Sequence, residues 1–446
     1  MIFIKNFTSS IEHEFCKPDF IEDASLLRSR MKLDAFKNIF YSRVKIQRMK
    51  VNVLLPIIGF FVIGCSTTGL QPLPGDPNFN GKESRLMARA EKEEAFLGAS
   101  GFLYKDRDLE RYLNDVVHIL YRSTTQDQAT PTVKVIKDPH LDAFVIPNGR
   151  IYVHTGILAR LDNEAQLAFL LAHEIIHYTN RHAFRAFGGF NDDQYGSESQ
   201  RQGSSPMGYL GQLLSRLGTS LTMAVMTGYS QVLETEADVE GMALVSKAGY
   251  DPGEAIRFFE HLKHELDTEN LRESLFFGIH PRLSKRIETC EIYLERTHRT
   301  EKKGFLNERI FLEKTRGVLL FNAFLDLKAG RYETARRNGK KYLELKNDDA
   351  RVYYLLGEIL RQQSQTMDIK DMKGFYEKAI SLDPIYPDPY KAIGLIYYKE
   401  EDWDLAKKAF ESYLSLSPPI QDRAYIIGYI KQCRLVKQGQ ESGGVN

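Results

Sequence analysis

Two histidines and a glutamate stand in one short apolar stretch, Leu171-Ala172-His173-Glu174-Ile175-Ile176-His177. If Ala165 to Tyr178 is a helix, His173 and His177 lie at i and i+4, one turn apart on one face. Imidazoles so placed suit one zinc ion. Glu174 then suits a general base acting on a water that the metal activates. Ala168, Phe169, Leu170, Leu171, Ala172, Ile175 and Ile176 are apolar, which predicts a buried helix. Imidazoles and a carboxylate buried there need partners. The stretch therefore reads as a site, not as a core helix with stray polar residues.

A metal held by two histidines needs a third protein ligand and leaves a fourth position open. Glu234-Thr235-Glu236-Ala237-Asp238, on a helix expected over Gln231 to Ala248, offers one. Glu234 is the expected ligand. Asp238, one turn further, is expected to accept a hydrogen bond from the outer nitrogen of a zinc histidine and so set its tautomer. Glu236 is the rival ligand; it points about 200° away from Glu234, so both cannot face the metal. His182 is set aside, because five residues beyond His177 turn it away by about 140° on a continuing helix. His154, at a strand end, is read as structural.

The surrounding elements must hold these groups. Glu83–Leu97 and Arg107–Tyr121 are expected helices, the second from its apolar stripe. Thr132–Lys137 alternates as a strand. Phe144–Ile146 and Ile151–His154 flank Pro147-Asn148-Gly149-Arg150 as a hairpin. The strand around Ile151–Thr155 is expected at the cleft edge, where an extended substrate can add. Asp162 or Asn163 caps the metal helix. Gly188–Gly211 reads as a loop over the cleft and Leu213–Met226 as a core helix. Helices over Asp251–Glu265 and from Leu283 to about Leu294 follow. Between them, Pro281 biases His280 to an extended conformation, projecting from a loop.

Beyond a charged connection at Arg296–Gly304 the chain repeats with a period of about 34 residues. Ala323, Gly357 and Gly394 share one slot, and Ala335 and Ala406 another. Tyr390, Gly394, Tyr397, Ala406, Phe410 and Pro418 fit the tetratricopeptide pattern, with an insertion near Gln363–Asp371. Stacked helix pairs of this kind present a groove as their binding face.

The chain has 446 residues, 43% hydrophobic and 27% charged, which suits two or three globular domains. A net charge of +1 argues against nucleic acid as a partner. Val51–Gly64 is an apolar run behind Met49-Lys50 and ends at Cys65, resembling a lipoprotein signal whose cysteine is lipidated. The expected organisation is therefore an over-extended start (1–48), a signal peptide (49–64) and a tether with an N-terminal helix (65–100). A peptidase domain (101–300) and repeats (306–440) follow. The peptidase domain is expected to fold without residues 306–446. Cys290 and Cys433 are read as two buried thiols, with a disulfide between them as the alternative.

Four separated motifs carry a resemblance. His173–His177, Glu234-x-x-Ala-Asp238 with Gly241, and His280-Pro281 with Arg286 resemble the zinc metallopeptidase family of CAAX prenyl proteases and HtpX-type membrane proteases, family forty-eight of the metallopeptidases. Asp142–Pro147 and Ile151–Leu158 are similar to that family's hairpin. The likeness runs over roughly residues 105–295. It implies a mainly α, gluzincin-type domain with a small β-hairpin or sheet, followed here by an α-solenoid of tetratricopeptide repeats. It implies one Zn2+ on His173, His177 and Glu234, with Glu174 as base and Asp238 behind a ligand. It places His280 beside the metal, either blocking the fourth position, the favoured role, or stabilising the oxyanion. Asp142 stands where the family usually has asparagine, and His154 where asparagine is common. A peptidase followed by repeats is similar to periplasmic members that act on outer-membrane protein assembly. That implies a peptidase anchored to the outer membrane through Cys65. Its substrates would be unfolded or mis-assembled envelope proteins, and a protein partner would bind the repeat groove. The alternatives are a chaperone-like scaffold for outer-membrane protein assembly whose protease is rarely used, and a soluble intracellular peptidase.

Overall fold

The computed structural model describes residues 77–124, 128–187, 229–269, 283–297, 304–363, 369–416 and 420–443. The chain is mainly helical with one small sheet, as expected. Cys65, the apolar run before it, the 188–228 stretch, His280 and the 364–368 part of the repeat insertion lie outside the described residues. Among the described residues, no helix is long and apolar enough to cross a membrane.

The first helix, α1 (Pro77–Ala99), begins inside the stretch read as a tether. Helix α2 (Arg107–Tyr121) is capped by Asp106 and buries Leu109, Leu113, Val116, Val117 and Leu120 along one face. Three strands follow: β1 (Thr132–Ile136), β2 (Ala143–Val145) and β3 (Arg150–His154). Their order is β1-β3-β2, with β1 parallel and β2 antiparallel to β3. This corrects the expected cleft edge. The strand at Ile151–His154 is central, because β1 pairs with its other side; of the two edge strands, β1 is bridged on its outer side by residues 102–104, which leaves β2 as the open edge. The Ile146 N–H donates to Arg150 and the His154 N–H to Asp142, so the backbone groups of Ala143 and Val145 point away from β3.

The short sheet is covered on both faces. Ala143 and Val145 join the main core with α2 and the metal-helix stretch. Phe144, Ile146 and Tyr152 join a second cluster with Ala90 and Leu97 of α1. This alternation is the period of two of a strand read against two different partners.

After the one-turn helix α3 (Thr155–Leu158) come α4 (Glu164–Thr179), α5 (His182–Phe187), α6 (Gln231–Lys247), α7 (Glu254–Thr268) and α8 (Leu283–Thr297). Three antiparallel pairs follow: α9 (Glu308–Lys328) with α10 (Tyr332–Leu345), α11 (Ala350–Gln363) with α12 (Ile369–Leu382), and α13 (Asp388–Lys399) with α14 (Trp403–Ser415). Helix α15 (Ile420–Gly443) packs on the last. The small residues of the repeat slots seat large ones. A β-carbon on Gly357 would stand 2.6 Å from the Tyr376 ring, and one on Gly394 2.7 Å from the Phe410 ring. Ala323, Ala335 and Ala406 are fully buried.

The first repeat helix is also part of the peptidase core. Phe311 and Val318 of α9 lie in the same cluster as α2 and α4. Arg160, behind α3, donates to Glu265 of α7 (3.1 Å) and pairs with Asp326 of α9 (3.0 Å), all buried. Removing residues 306–446 would uncover that arginine and glutamate and strip apolar side chains from the core. A buried pair broken in this way costs about 3–5 kcal/mol. Truncation before residue 306 is therefore expected to lower the stability of the peptidase part. Cys290 and Cys433 are both buried and free, and sit in separate clusters.

Candidate active site

Asn163, one of the two expected caps, starts α4 by accepting a hydrogen bond from the Gln166 N–H. Every residue of α4 except Tyr178 is buried, which makes it a core helix. Helix α6 packs on it through Ala237 and Gly241; a β-carbon on Gly241 would stand 3.4 Å from the His173 backbone nitrogen. That close approach aims Glu234 and Asp238, one turn apart, at the two histidines.

The Nε2 atoms of His173 and His177 are 2.9 Å apart. Glu234 brings Oε2 to 3.5 Å from His173 Nε2 and Oε1 to 3.6 Å from His177 Nε2. A tetrahedral site with bonds of about 2.1 Å has edges of about 3.4 Å. Two nitrogens and one carboxylate at these separations fit a metal ion, and among the described residues this is the one such group. Glu174 is 1% exposed and lines a small cavity with Asp142, Ala143, Phe169, His173 and Arg286.

The two histidines are supported differently. His173 Nδ1 lies 3.0 Å from Asp238 Oδ1. Arg286 of α8 donates to both Asp238 oxygens, at 2.9 and 2.6 Å, and lies over the Phe259 ring at 4.4 Å. Burial would raise the Asp238 carboxyl, but Arg286 and His173 hold it below its usual range. Burial and Arg286 push His173 down. The Asp238 and Glu234 carboxylates outweigh them and raise it to about 9, so metal binding releases a proton there.

On the other side, His177 Nδ1 lies 2.8 Å from His182 Nδ1. His182 would be turned away from His177 on a continuing helix, but the helix stops. Asn180 ends α4, Arg181 turns left-handed at φ 56°, and α5 begins with His182 folded back against His177. His182 Nε2 faces Glu236 Oε1 at 3.3 Å. Glu236 also accepts from Asn180 (2.7 Å) and Arg185 (2.8 Å). Burial would raise Glu236, but Arg185, Asn180 and His182 lower it to about 2. Glu236 is absent from the metal group, yet it meets His182 behind the other ligand histidine. The pair depends on the break after α4, where Asn180 is the one sequence sign of a helix end and the positive φ of Arg181 comes from the structure. Tyr229 stacks on His177, with ring centroids 4.3 Å apart.

Asp142 and His154 are both buried beside the site. Burial, then Glu174, Asp138 and Glu234, hold the Asp142 carboxyl well above its usual range. Burial lowers His154 to about 4 despite Asp138, so it is a neutral imidazole packed edge-on to Phe144.

Fold and site together have the form of an HExxH metal centre. Residues 105–293 match the model of peptidase family M48. The mitochondrial metalloendopeptidase OMA1 of Schizosaccharomyces pombe is 32% identical over 160 residues, covering 36% of this chain and 45% of its own. The beta-barrel assembly-enhancing protease of Escherichia coli is 29% identical over 181 residues, covering 37% of this chain and 35% of its own. The chain thus spans less than half the length of these curated relatives. Among solved structures, the yeast Tom70 matches 62% of this chain and 64% of its own at 13% identity, with a TM-score of 0.27, too loose to define the fold.

Proposed function

We propose that this protein is a zinc-dependent endopeptidase that cleaves extended polypeptide segments. The observation that carries the reading is the His173–His177–Glu234 group with Glu174 on the same buried helix, beside the outward-facing backbone of β2. A bound Zn2+ supplies the Lewis acidity that lowers the pKa of a water and polarises the scissile carbonyl. Glu174 accepts the proton of the attacking water at its carboxylate and delivers it to the leaving amine nitrogen. Asp238, held by Arg286, keeps His173 oriented. His182, held by Glu236, does the same for His177. The Ala143 carbonyl and the Val145 backbone groups face away from β3 and can pair with a substrate strand, so the substrate is unfolded or looped chain. His280 is assigned a blocking role at the metal, and His280→Ala should raise cleavage of an unstructured substrate.

The names of the bacterial relatives support mis-assembled outer-membrane proteins as substrates. The signal-like run before Cys65 supports a lipid anchor in the periplasmic face of the outer membrane. The repeats serve to recruit a partner or substrate, where Phe324, Tyr354 and Tyr386 form a file of contacting rings. The test is Glu174→Gln in the full chain. It should keep one zinc per chain and lose cleavage of an unfolded β-barrel protein by a factor on the order of 100 or more. Undiminished cleavage by that variant would end the peptidase reading at this site. Full complementation of a deletion strain by an inactive variant would favour the scaffold reading instead.

A further inference from the structure

A second wall of the substrate slot comes from outside the family domain. The sheet layer ends at β2, with α4 packed on one face and α1 on the other. A strand added to β2 continues that layer and so enters the gap between α4 and α1. Its side chains alternate, one set toward the metal and the other toward α1. The gap contains a cavity of about 190 Å³ just beyond His177. Val145, Ile146 and Pro147 from the end of β2 form its floor. Tyr178, Phe184 and, from α1, Met87 line it too, with His177 and Tyr229. Glu83 of α1 and Arg181 also line it and form an ion pair, and the Arg181 guanidinium lies 5.2 Å from the centre of the Phe184 ring.

We propose that this cavity is a specificity pocket for a large apolar side chain, aromatic or branched aliphatic, of the polypeptide, and that α1 decides its size through Met87. The inference rests on the reading that an extended substrate adds to β2. If that strand runs antiparallel to β2, its N-terminal part lies over Val145–Pro147. The pocket then takes a residue on the N-terminal side of the scissile bond. Most of the lining is apolar, the Gln128 amide already donates to the Thr179 carbonyl, and Glu83 and Arg181 are paired with each other. A charged side chain would meet no partner there and would lose its hydration. Met87 is half-buried on a helix surface, so its replacement alters the slot and not the main core.

The experiment uses the zinc-loaded full chain carrying Glu174→Gln, and ten-residue unstructured peptides in which one Phe is moved through a Gly/Ser background. Fluorescence anisotropy reads binding. One fixed Phe position should bind about tenfold or more tighter than the all-Gly/Ser peptide. Adding Met87→Trp should remove that discrimination with zinc content and melting temperature unchanged. Adding Met87→Ala should move the optimum from Phe towards Trp. A Phe preference that neither Met87 change alters, or no position preference at all, overturns the pocket. A position preference sensitive to Met87, in a chain whose wild type hydrolyses none of the peptides, overturns the peptidase reading and keeps the pocket.

Discussion

His173 and His177 sit one turn apart on the same helix, yet the groups behind them are built in opposite ways. Behind His173 stands a carboxylate locked by a buried guanidinium, with three helices contributing: α4, α6 and α8. Behind His177 stands a neutral imidazole from the next few residues of the same chain, backed by a partly exposed carboxylate. The first arrangement puts two full charges in the core, and each is tolerable only because the other is there. The second is a chain of tautomers. If His177 Nδ1–H donates to His182 Nδ1, then His182 must carry its proton on Nε2, where it faces Glu236. One support is strong and unforgiving; the other is directional and replaceable.

That contrast can be broken experimentally, beginning with the largest effect. Asp238→Ala leaves Arg286 buried without its carboxylate and should cost about 3–5 kcal/mol of stability, together with zinc binding. Urea unfolding and metal analysis measure both; a loss below about 1 kcal/mol would show that the pair is not what holds this side together. His182→Ala should leave the fold standing and weaken zinc affinity by about 10–100-fold, read by competition with a chelator. His182→Asn, whose side-chain oxygen can replace Nδ1 as acceptor, should recover most of that loss. No recovery would mean that His182 acts by bulk, and the directional account would fall.

Glu236→Gln is expected to have the smallest effect, because its ion pair with Arg185 is partly exposed and such pairs are worth about 0–1 kcal/mol. Its signature is pH dependence. The folded Glu236 sits at about 2 against a reference of 4.5. Its stabilisation is therefore complete above about pH 4.5 and is lost as pH falls from there toward 2. The Gln variant should show a shallower decline in stability over that window. Identical acid profiles for the two proteins would remove Glu236 from the account.

How much of this was legible beforehand differs by element. The metal helix, the acid helix and the repeat slots are local patterns, and each needed only a helical period and a few small or polar residues. Glu234 and Asp238 are placed by spacing along one helix, and Asn163 by its residue type at a helix start. His182 and Glu236 were each weighed and set aside by the same kind of rotation argument. That argument fails where a helix stops, and nothing short of the backbone path says that Arg181 turns left-handed. The edge strand was misassigned for a related reason. A hairpin is visible in sequence, but the parallel partner that makes one of its strands central, β1, arrives from outside it.

The sequence by itself determined the chemistry of this protein: which side chains can hold a metal, which carboxylate can take a proton, and which helices are periodic enough to form. These follow from residue types at short fixed spacings, where 3.6 residues per turn does the geometry. The tertiary structure alone decided how helices meet. It set α6 against α4 through Gly241, brought Arg286 under Asp238, laid α1 along the far side of β2, and put Phe311 of the repeats into the peptidase core. Those contacts join residues tens to hundreds of positions apart. They are selected by which apolar faces and buried charges must find one another, a condition on the whole chain that no local spacing contains.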